Sequence, residues 1–184
     1  MVSTPRTERN RGFTVIEMLL VMAMIGTLAA MALPVMKDIT ASIKLNEAAR
    51  LVEREMQDAR LKAVSSNRLI RVRMNCPATG YIRSVEVLGT SVDTAANRCV
   101  TTAYPFPAAD TDIMTRPNFD GPARYLPNGA TVTSNVIQFT PDGTAMDVVG
   151  GVPATITTAV TVTITRSGKS RTVTVNNAGK VQLQ

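Results

Sequence analysis

The chain has 184 residues, 20 Lys and Arg against 14 Asp and Glu, and a formal charge of +6. That length allows one ordinary domain plus an appendage. With no His, no Trp and 4% aromatic residues, the core must be aliphatic, and a histidine-based zinc site or catalytic centre is excluded.

The charge is unevenly spread. Residues 1–12 hold Arg6, Arg9 and Arg11 against Glu8, and residues 148–184 hold Arg166, Lys169, Arg171 and Lys180 with no acid. Residues 84–147 run the other way, with seven acids and three bases. Such asymmetry bears on partners more than on fold.

From Met18 to Met36 there are 19 residues without a charge. As a helix they span about 28 Å, close to the hydrocarbon thickness of a bilayer. Arg9 and Arg11 precede the run, so the N-terminus is expected to stay in the cytoplasm and the rest to be exported. The run is long for a cleaved signal peptide and has no clear small-x-small site at a polar boundary. Gly26, Thr27 and Pro34 make it a poor core helix. A membrane anchor is the better reading, yet it leaves Glu17 unexplained, because a carboxylate at the end of a span is costly. If the chain were cut after Gly12, the new amine of Phe13 would lie four residues from Glu17, on one face of a helix. In an assembly, Glu17 would instead meet the amine of an adjacent subunit.

The stretch Gly12-Phe13-Thr14-Val15-Ile16-Glu17, with its basic leader and with Gly26 and Pro34 in the apolar run, resembles the N-terminus of type IV pilins and type II secretion pseudopilins. The resemblance implies cleavage by a prepilin peptidase between Gly12 and Phe13, N-methylation of Phe13, and an assembly role for Glu17.

Past the anchor, Leu45, Ala49, Val52, Met56, Ala59 and Ala63 recur at spacings of three and four. They predict an amphipathic helix over 37–66, ended by Ser65-Ser66-Asn67. Strands are expected at Leu69–Met74 and Tyr81–Leu88, around a Cys-Pro-Ala-Thr-Gly turn. Residues 89–124 read as irregular, with a short strand near Val100–Tyr104. One strand is expected over 130–140, ending in Ile137 and Phe139, then a turn at Pro141-Asp142-Gly143. Ile156, Val160, Val162 and Ile164 alternate with Thr161, Thr163 and Thr165. Ser167-Gly168-Lys169 is a hairpin turn, Val173 and Val175 continue the pattern, and a last strand holds Val181 and Leu183. The fold class is therefore α+β: a long N-terminal helix over an antiparallel β domain, the helix stripe covering the apolar face of a meander.

Within the pilin class the chain is similar to the minor-pilin group that includes the pseudopilin GspH and the pilus protein FimT. The matching pieces are Asp58-Ala59-Arg60-Leu61-Lys62-Ala63, Ile137-Gln138-Phe139-Thr140-Pro141-Asp142-Gly143, and the closing strands with Arg171 and Gly179-Lys180-Val181. This implies a leader at 1–12 that is removed, a transmembrane helix at 13–36, the helix at 37–66, and a periplasmic β domain at 67–184. It also implies that the chain is not an enzyme. Its partners would be the peptidase, other major and minor pilins or pseudopilins, an inner-membrane assembly platform, the lipid bilayer, and either secreted cargo or DNA.

Cys76 and Cys99 form one disulfide if the domain is exported, closing a loop worth roughly 3 kcal/mol; in the cytosol they are free thiols. Asp110 and Asp112 lack the further ligands that calcium wants, so no metal and no cofactor is expected. Arg166, Lys169 and Arg171 lie on or beside one hairpin, with Lys180 on the next element. They read as a solvated turn, a DNA contact or a subunit contact. FimT-like proteins that bind DNA often end in Gly-Arg-x-Arg, whereas this chain reads Gly179-Lys180-Val181-Gln182.

Overall fold

The structure is a computed structural model that describes residues 12–89, 93, 96–100, 119–127 and 129–184. One helix, α1 (Val15–Ser66), runs the length of both the apolar and the amphipathic segments. The chain divides into two compact units between Thr40 and Ala41, so α1 contributes to each.

In the second unit, the stripe on α1 is the floor of the core. Leu45, Ala49, Val52, Met56, Ala59 and Ala63 are all buried, joined by Ala48. The repeated alanines have a physical use: a side chain of one methyl lets a helix lie close to a sheet. The core continues through Ile70, Val72, Ile137, Phe139, Val162, Ile164, Val173 and Val175, all fully buried.

The β domain holds two antiparallel sheets among the described residues, and the meander expected over 155–183 is part of the second. The strands are β1 (Ile70–Met74), β2 (Tyr81–Glu86), β3 (Arg124–Tyr125), β4 (Thr131–Val132), β5 (Val136–Phe139), β6 (Ala145–Val149), β7 (Val152–Thr155), β8 (Val160–Arg166), β9 (Lys169–Val175) and β10 (Val181–Leu183). The first sheet has the order β3-β2-β1-β5-β6-β7, the second β10-β9-β8-β4. The single strand expected over 130–140 is thus two strands in different sheets. β4 pairs with β8, β5 pairs with β1, and residues 133–135 carry the chain across. The hairpin β6–β7 was not expected, and Ile156 lies after it, buried but outside any strand. The expected strand near Val100–Tyr104 lies outside the described residues beyond Val100. Of the segment read as irregular, Ala96–Cys99 form a 3₁₀ turn and Arg124–Tyr125 form β3.

The C-terminal hairpin follows from its turn. Ser167 and Gly168 both have positive φ, 49° and 76°, the two-residue turn whose twist matches that of its strands. Register then places Ile164 opposite Arg171 and Val162 opposite Val173.

Arg60 joins α1 to both sheets. Its Nε donates to the carbonyl of Gly143 at 2.9 Å, in the β5–β6 turn. Its Nη2 donates to the carbonyl of Ala178 at 3.0 Å, in the β9–β10 turn. The Ala145 amide donates to Asn177 O at 2.8 Å, tying the same two turns directly. Gly179 (φ 70°) is wedged between them, and a Cβ there would collide with Gly143 O and lie 2.8 Å from Arg60 Nε. The three sequence motifs that resemble the GspH and FimT group, around Arg60, Gly143 and Gly179, therefore meet at one point. Gly179→Ala is expected to cost roughly 1–3 kcal/mol through positive φ and this collision. Urea unfolding of the chain in detergent would measure it, and an unchanged midpoint would show that the turns part freely.

Candidate functional site

At its N-terminus α1 is capped. Thr14 Oγ1 accepts the Glu17 amide at 3.3 Å, and Thr14 O accepts the Met18 amide at 3.2 Å. Thr14-Val15-Ile16-Glu17 thus fits the pattern Ser/Thr-x-x-Glu that opens helices, a signal present in the sequence and not read there. In the uncleaved chain Phe13 precedes the helix. The cap is made by the backbone of Glu17, which any residue would supply. A negative charge in the first helical turn contributes about 0.3–1 kcal/mol. That is less than the cost of placing a carboxylate deep in hydrocarbon.

Downstream of the cap the surface is apolar and open. Ile16, Leu19, Met22, Leu28 and Met31 are each at least 65% exposed. Soluble monomers rarely leave so continuous an apolar face uncovered. α1 is also the one described helix long and apolar enough to cross a membrane.

The basic residues do not form one cluster. Lys169 and Arg171 share the face of β9 that carries Val173 and Val175, the face turned to α1. Lys169 Nζ donates to Ser42 Oγ at 3.1 Å and Arg171 Nε to Asn46 Oδ1 at 3.0 Å. Arg166, opposite Lys169 in the ladder, lays its guanidinium against Gly129, where an added Cβ would sit 3.4 Å from Nη1. Lys180 lies at the other end of the strand, beside the Val175–Val181 pair, about 20 Å from Lys169 at the usual strand rise.

A second charged group is built from β2, the 3₁₀ turn and Asp120, and sequence reasoning missed it. Arg83 and Arg98 are fully buried and converge on Asp120. Arg98 reaches both carboxylate oxygens, Nη2 at 2.8 Å from Oδ1. Asp120 Oδ1 also accepts the Glu86 amide at 2.9 Å. Arg83 donates to the carbonyls of Gly121 at 2.9 Å and Cys99 at 3.3 Å. Burial pushes the carboxyls of Asp120 and Glu86 above the usual range, with amide donors and arginines pulling the other way. Asp120 is 22 residues from Arg98 and 37 from Arg83, so nothing local in the sequence announced the group. Among the described residues no three His, Cys, Asp or Glu side chains are placed to hold a metal.

The family model described as "Type II transport protein GspH" matches residues 48–179. The chain belongs to the GspH family. A second model, the prokaryotic N-terminal methylation motif, matches residues 8–33 of this GspH-family chain. The type IV major pilin protein PilE1 of Neisseria gonorrhoeae is 49% identical over 44 residues, 24% of this chain and 27% of PilE1. A fimbrial protein of Neisseria meningitidis serogroup B matches at 49% over 44 residues, 26% of its length. The chain thus spans about a quarter of the length of these curated relatives. Among solved structures, the type IV minor pilin FimU of Pseudomonas aeruginosa is 19% identical, with 79% of this chain and 92% of that chain covered and a TM-score of 0.47. The minor pseudopilin EpsH of the Vibrio cholerae type 2 secretion system is 14% identical, with 77% and 96% covered and a TM-score of 0.44.

This GspH-family chain accordingly belongs to the pilin and pseudopilin superfamily. A methylation motif followed by a helix long and apolar enough to cross a membrane fits an inner-membrane anchor. An oxidising compartment suits the Cys76–Cys99 disulfide, which joins the end of β1 to the 3₁₀ turn across 23 residues. The double variant Cys76→Ser, Cys99→Ser is expected to lose roughly 3 kcal/mol in a denaturant titration. Equal midpoints for variant and wild type would mean that the Arg98–Asp120 pair holds this loop without the bond.

Proposed function

We propose that this protein is a minor pseudopilin of a type II secretion system, a non-catalytic subunit placed at or near the tip of the pseudopilus. The leader is removed by the prepilin peptidase between Gly12 and Phe13, and Phe13 is methylated. The anchor then moves from the bilayer into a bundle of other subunits' anchors. There Glu17 pairs with a terminal amine, and the β domain meets neighbouring subunits or secreted cargo.

The observation that carries this reading is the uncovered apolar anchor with a carboxylate at its third helical position. Lipid covers such a face in the bilayer, and other anchors cover it equally well in a filament. A carboxylate at the entry to that bundle gains from a cationic partner in low dielectric.

The second reading is a FimT-like minor pilin of a type IV pilus that takes up DNA, and Arg166, Lys169 and Arg171 favour it. Against it, Lys169 and Arg171 spend donors on α1, Lys180 lies apart, and no aromatic side chain stands among them for base stacking. The description of the matching family favours secretion.

Gly12→Val is expected to keep its leader, read as an unchanged mass of the chain isolated from membranes. Glu17→Gln is expected to be cut normally yet to drop at least tenfold in cross-linking to neighbouring subunits. Normal cross-linking of Glu17→Gln would remove the assembly role. The full chain in detergent is expected to give no anisotropy change with double-stranded DNA at near-physiological salt. Micromolar binding, lost in an Arg166→Gln, Lys169→Gln, Arg171→Gln variant, would move the assignment to the pilus.

A further inference from the structure

The outward face of the first sheet carries an imbalance of charge. Arg71 and Arg73 point away from the core stripe of Ile70, Val72 and Met74, by strand alternation. Register puts Arg73 directly opposite Arg83 on β2, and Arg71 opposite Gln138 on β5. Like charges directly opposite in a ladder repel. Around this face four guanidiniums, those of Arg71, Arg73, Arg83 and Arg98, meet the carboxylates of Asp93 and Asp120, with buried Glu86 close enough to feel the charge of Arg98.

Three of the four arginines are provided for. Arg83 and Arg98 share Asp120. Arg71 donates Nε and Nη2 to Gln138 Oε1, at 3.2 and 2.8 Å, with the carboxylate of Asp93 near enough to favour its charge. Arg73 is the exception. Its Nη1 is buried with no hydrogen-bond partner among the described residues. Burial lowers its pKa, and the next contribution is the like charge of Arg98. Arg73 as a whole is half-buried, so water reaches part of the guanidinium, and an anion within reach of Nη1 would satisfy the buried part.

There is space for it. A cleft of about 410 Å³ is lined by Arg71 and Arg73, by Ser134, Val136, Val148 and the Gly150-Gly151 turn, and by one carboxylate, Asp93. Ser134 Oγ accepts Asn75 Nδ2 at 3.0 Å, which leaves its hydroxyl hydrogen to donate. Gly150 and Gly151 have φ of 59° and 87°, and an added Cβ on Gly150 would meet nothing within 4 Å, so the rim is open. Asp93 is turned to other work, accepting the amides of Leu88 and Gly89 at 2.8 Å each.

We propose that the cleft between Arg71, Arg73, Ser134 and the Gly150-Gly151 turn is an oxyanion-binding site, taking a phosphate or carboxylate group in the fork of Arg73. A planar guanidinium matches either group with paired hydrogen bonds. The group arrives as a free ion or on the side chain of an adjoining polypeptide, and the cleft is open enough for both.

The test uses the full chain in detergent micelles, with sodium phosphate and sodium glutarate titrated against sodium chloride at fixed ionic strength. Phosphate or glutarate is expected to raise Tm by about 3–5 °C at ten times its Kd. A response to phosphate alone identifies a free ion, and a response to glutarate identifies a carboxylate-bearing partner. Arg73→Gln is expected to weaken binding at least tenfold while leaving ligand-free Tm unchanged or higher, because it removes a charge without a partner. Arg73→Lys keeps the charge, loses the fork and is expected to bind weakly. Lys44→Gln, elsewhere on the surface, is expected to bind like wild type. Stabilisation no greater than with chloride would overturn the proposal. So would equal stabilisation of Arg73→Gln, or a lower ligand-free Tm in that variant.

Discussion

The β domain depends on one side chain that belongs to the helix. Arg60 is the point at which α1 holds both sheets, through Gly143 O and Ala178 O. That fork and the Ala145–Asn177 backbone bond give the two sheets directional contacts beyond their shared apolar core. Hydrophobic contact alone fixes proximity poorly, because it has no angular preference. Two charge-assisted hydrogen bonds from a planar group fix both turns against one turn of helix. The glycines at 143 and 179 follow from this: both have positive φ, and a Cβ at 179 would take the space that Arg60 and Gly143 O occupy. Asp142 shapes the first of the two turns. It accepts from Thr140, from the Thr144 amide and from the Thr144 hydroxyl, and those donors hold its carboxyl below the usual range.

What was legible in the sequence shares one property: the signal was local. The stripe from Leu45 to Ala63 repeats every three or four residues, and it is the buried face. Ser167-Gly168 lies between alternating strands, and it is a hairpin turn. The Thr14 cap was equally local and was passed over because the apolar run drew attention to Glu17. The failures were non-local or masked by composition. Residues 130–140 read as one strand because Val132, Val136 and Ile137 are all apolar, while the partners that separate β4 from β5 lie on β8 and β1. The hairpin β6–β7 was hidden by Gly150, Gly151 and Pro153. Pro153 is tolerated because β7 is an edge strand, and edge position cannot be read before the sheet order is known.

Glu17 shows why a local account can be complete for the backbone and silent on the side chain. Thr14 satisfies the amide of residue 17 whatever that residue is, so the cap explains where the helix starts. It does not explain a carboxylate. The remaining local benefit, a negative charge near the positive end of the helix, is a fraction of a kcal/mol to about one. That is available to any acid on any soluble helix, where it costs nothing to hydrate. Here the next residues are Met18, Leu19 and Leu20, and the charge sits at the edge of hydrocarbon. The deficit between those two magnitudes is what an intersubunit partner would have to supply.

The same comparison applies to the formal charge of +6, which by itself suggests an anionic polymer as partner. The fold uses much of that charge internally. Arg60 bonds two carbonyls, Arg83 and Arg98 surround Asp120, Arg124 Nε lies 3.2 Å from Glu55, and Arg166 packs on Gly129. Lys169 and Arg171 donate to α1. A guanidinium engaged on carbonyls still counts as +1 in a composition, but it is turned inward and hydrogen-bonded, so little of its field is presented as a surface patch. Net charge therefore overstates how basic a face this domain offers. Among the described residues Arg73 and Arg166 both keep buried nitrogens without a hydrogen-bond partner, and Arg73 lines a cleft with room for a single anionic group rather than a track spaced for a phosphate backbone. The electrostatics of this chain thus favour a discrete anionic contact over a long polyanion.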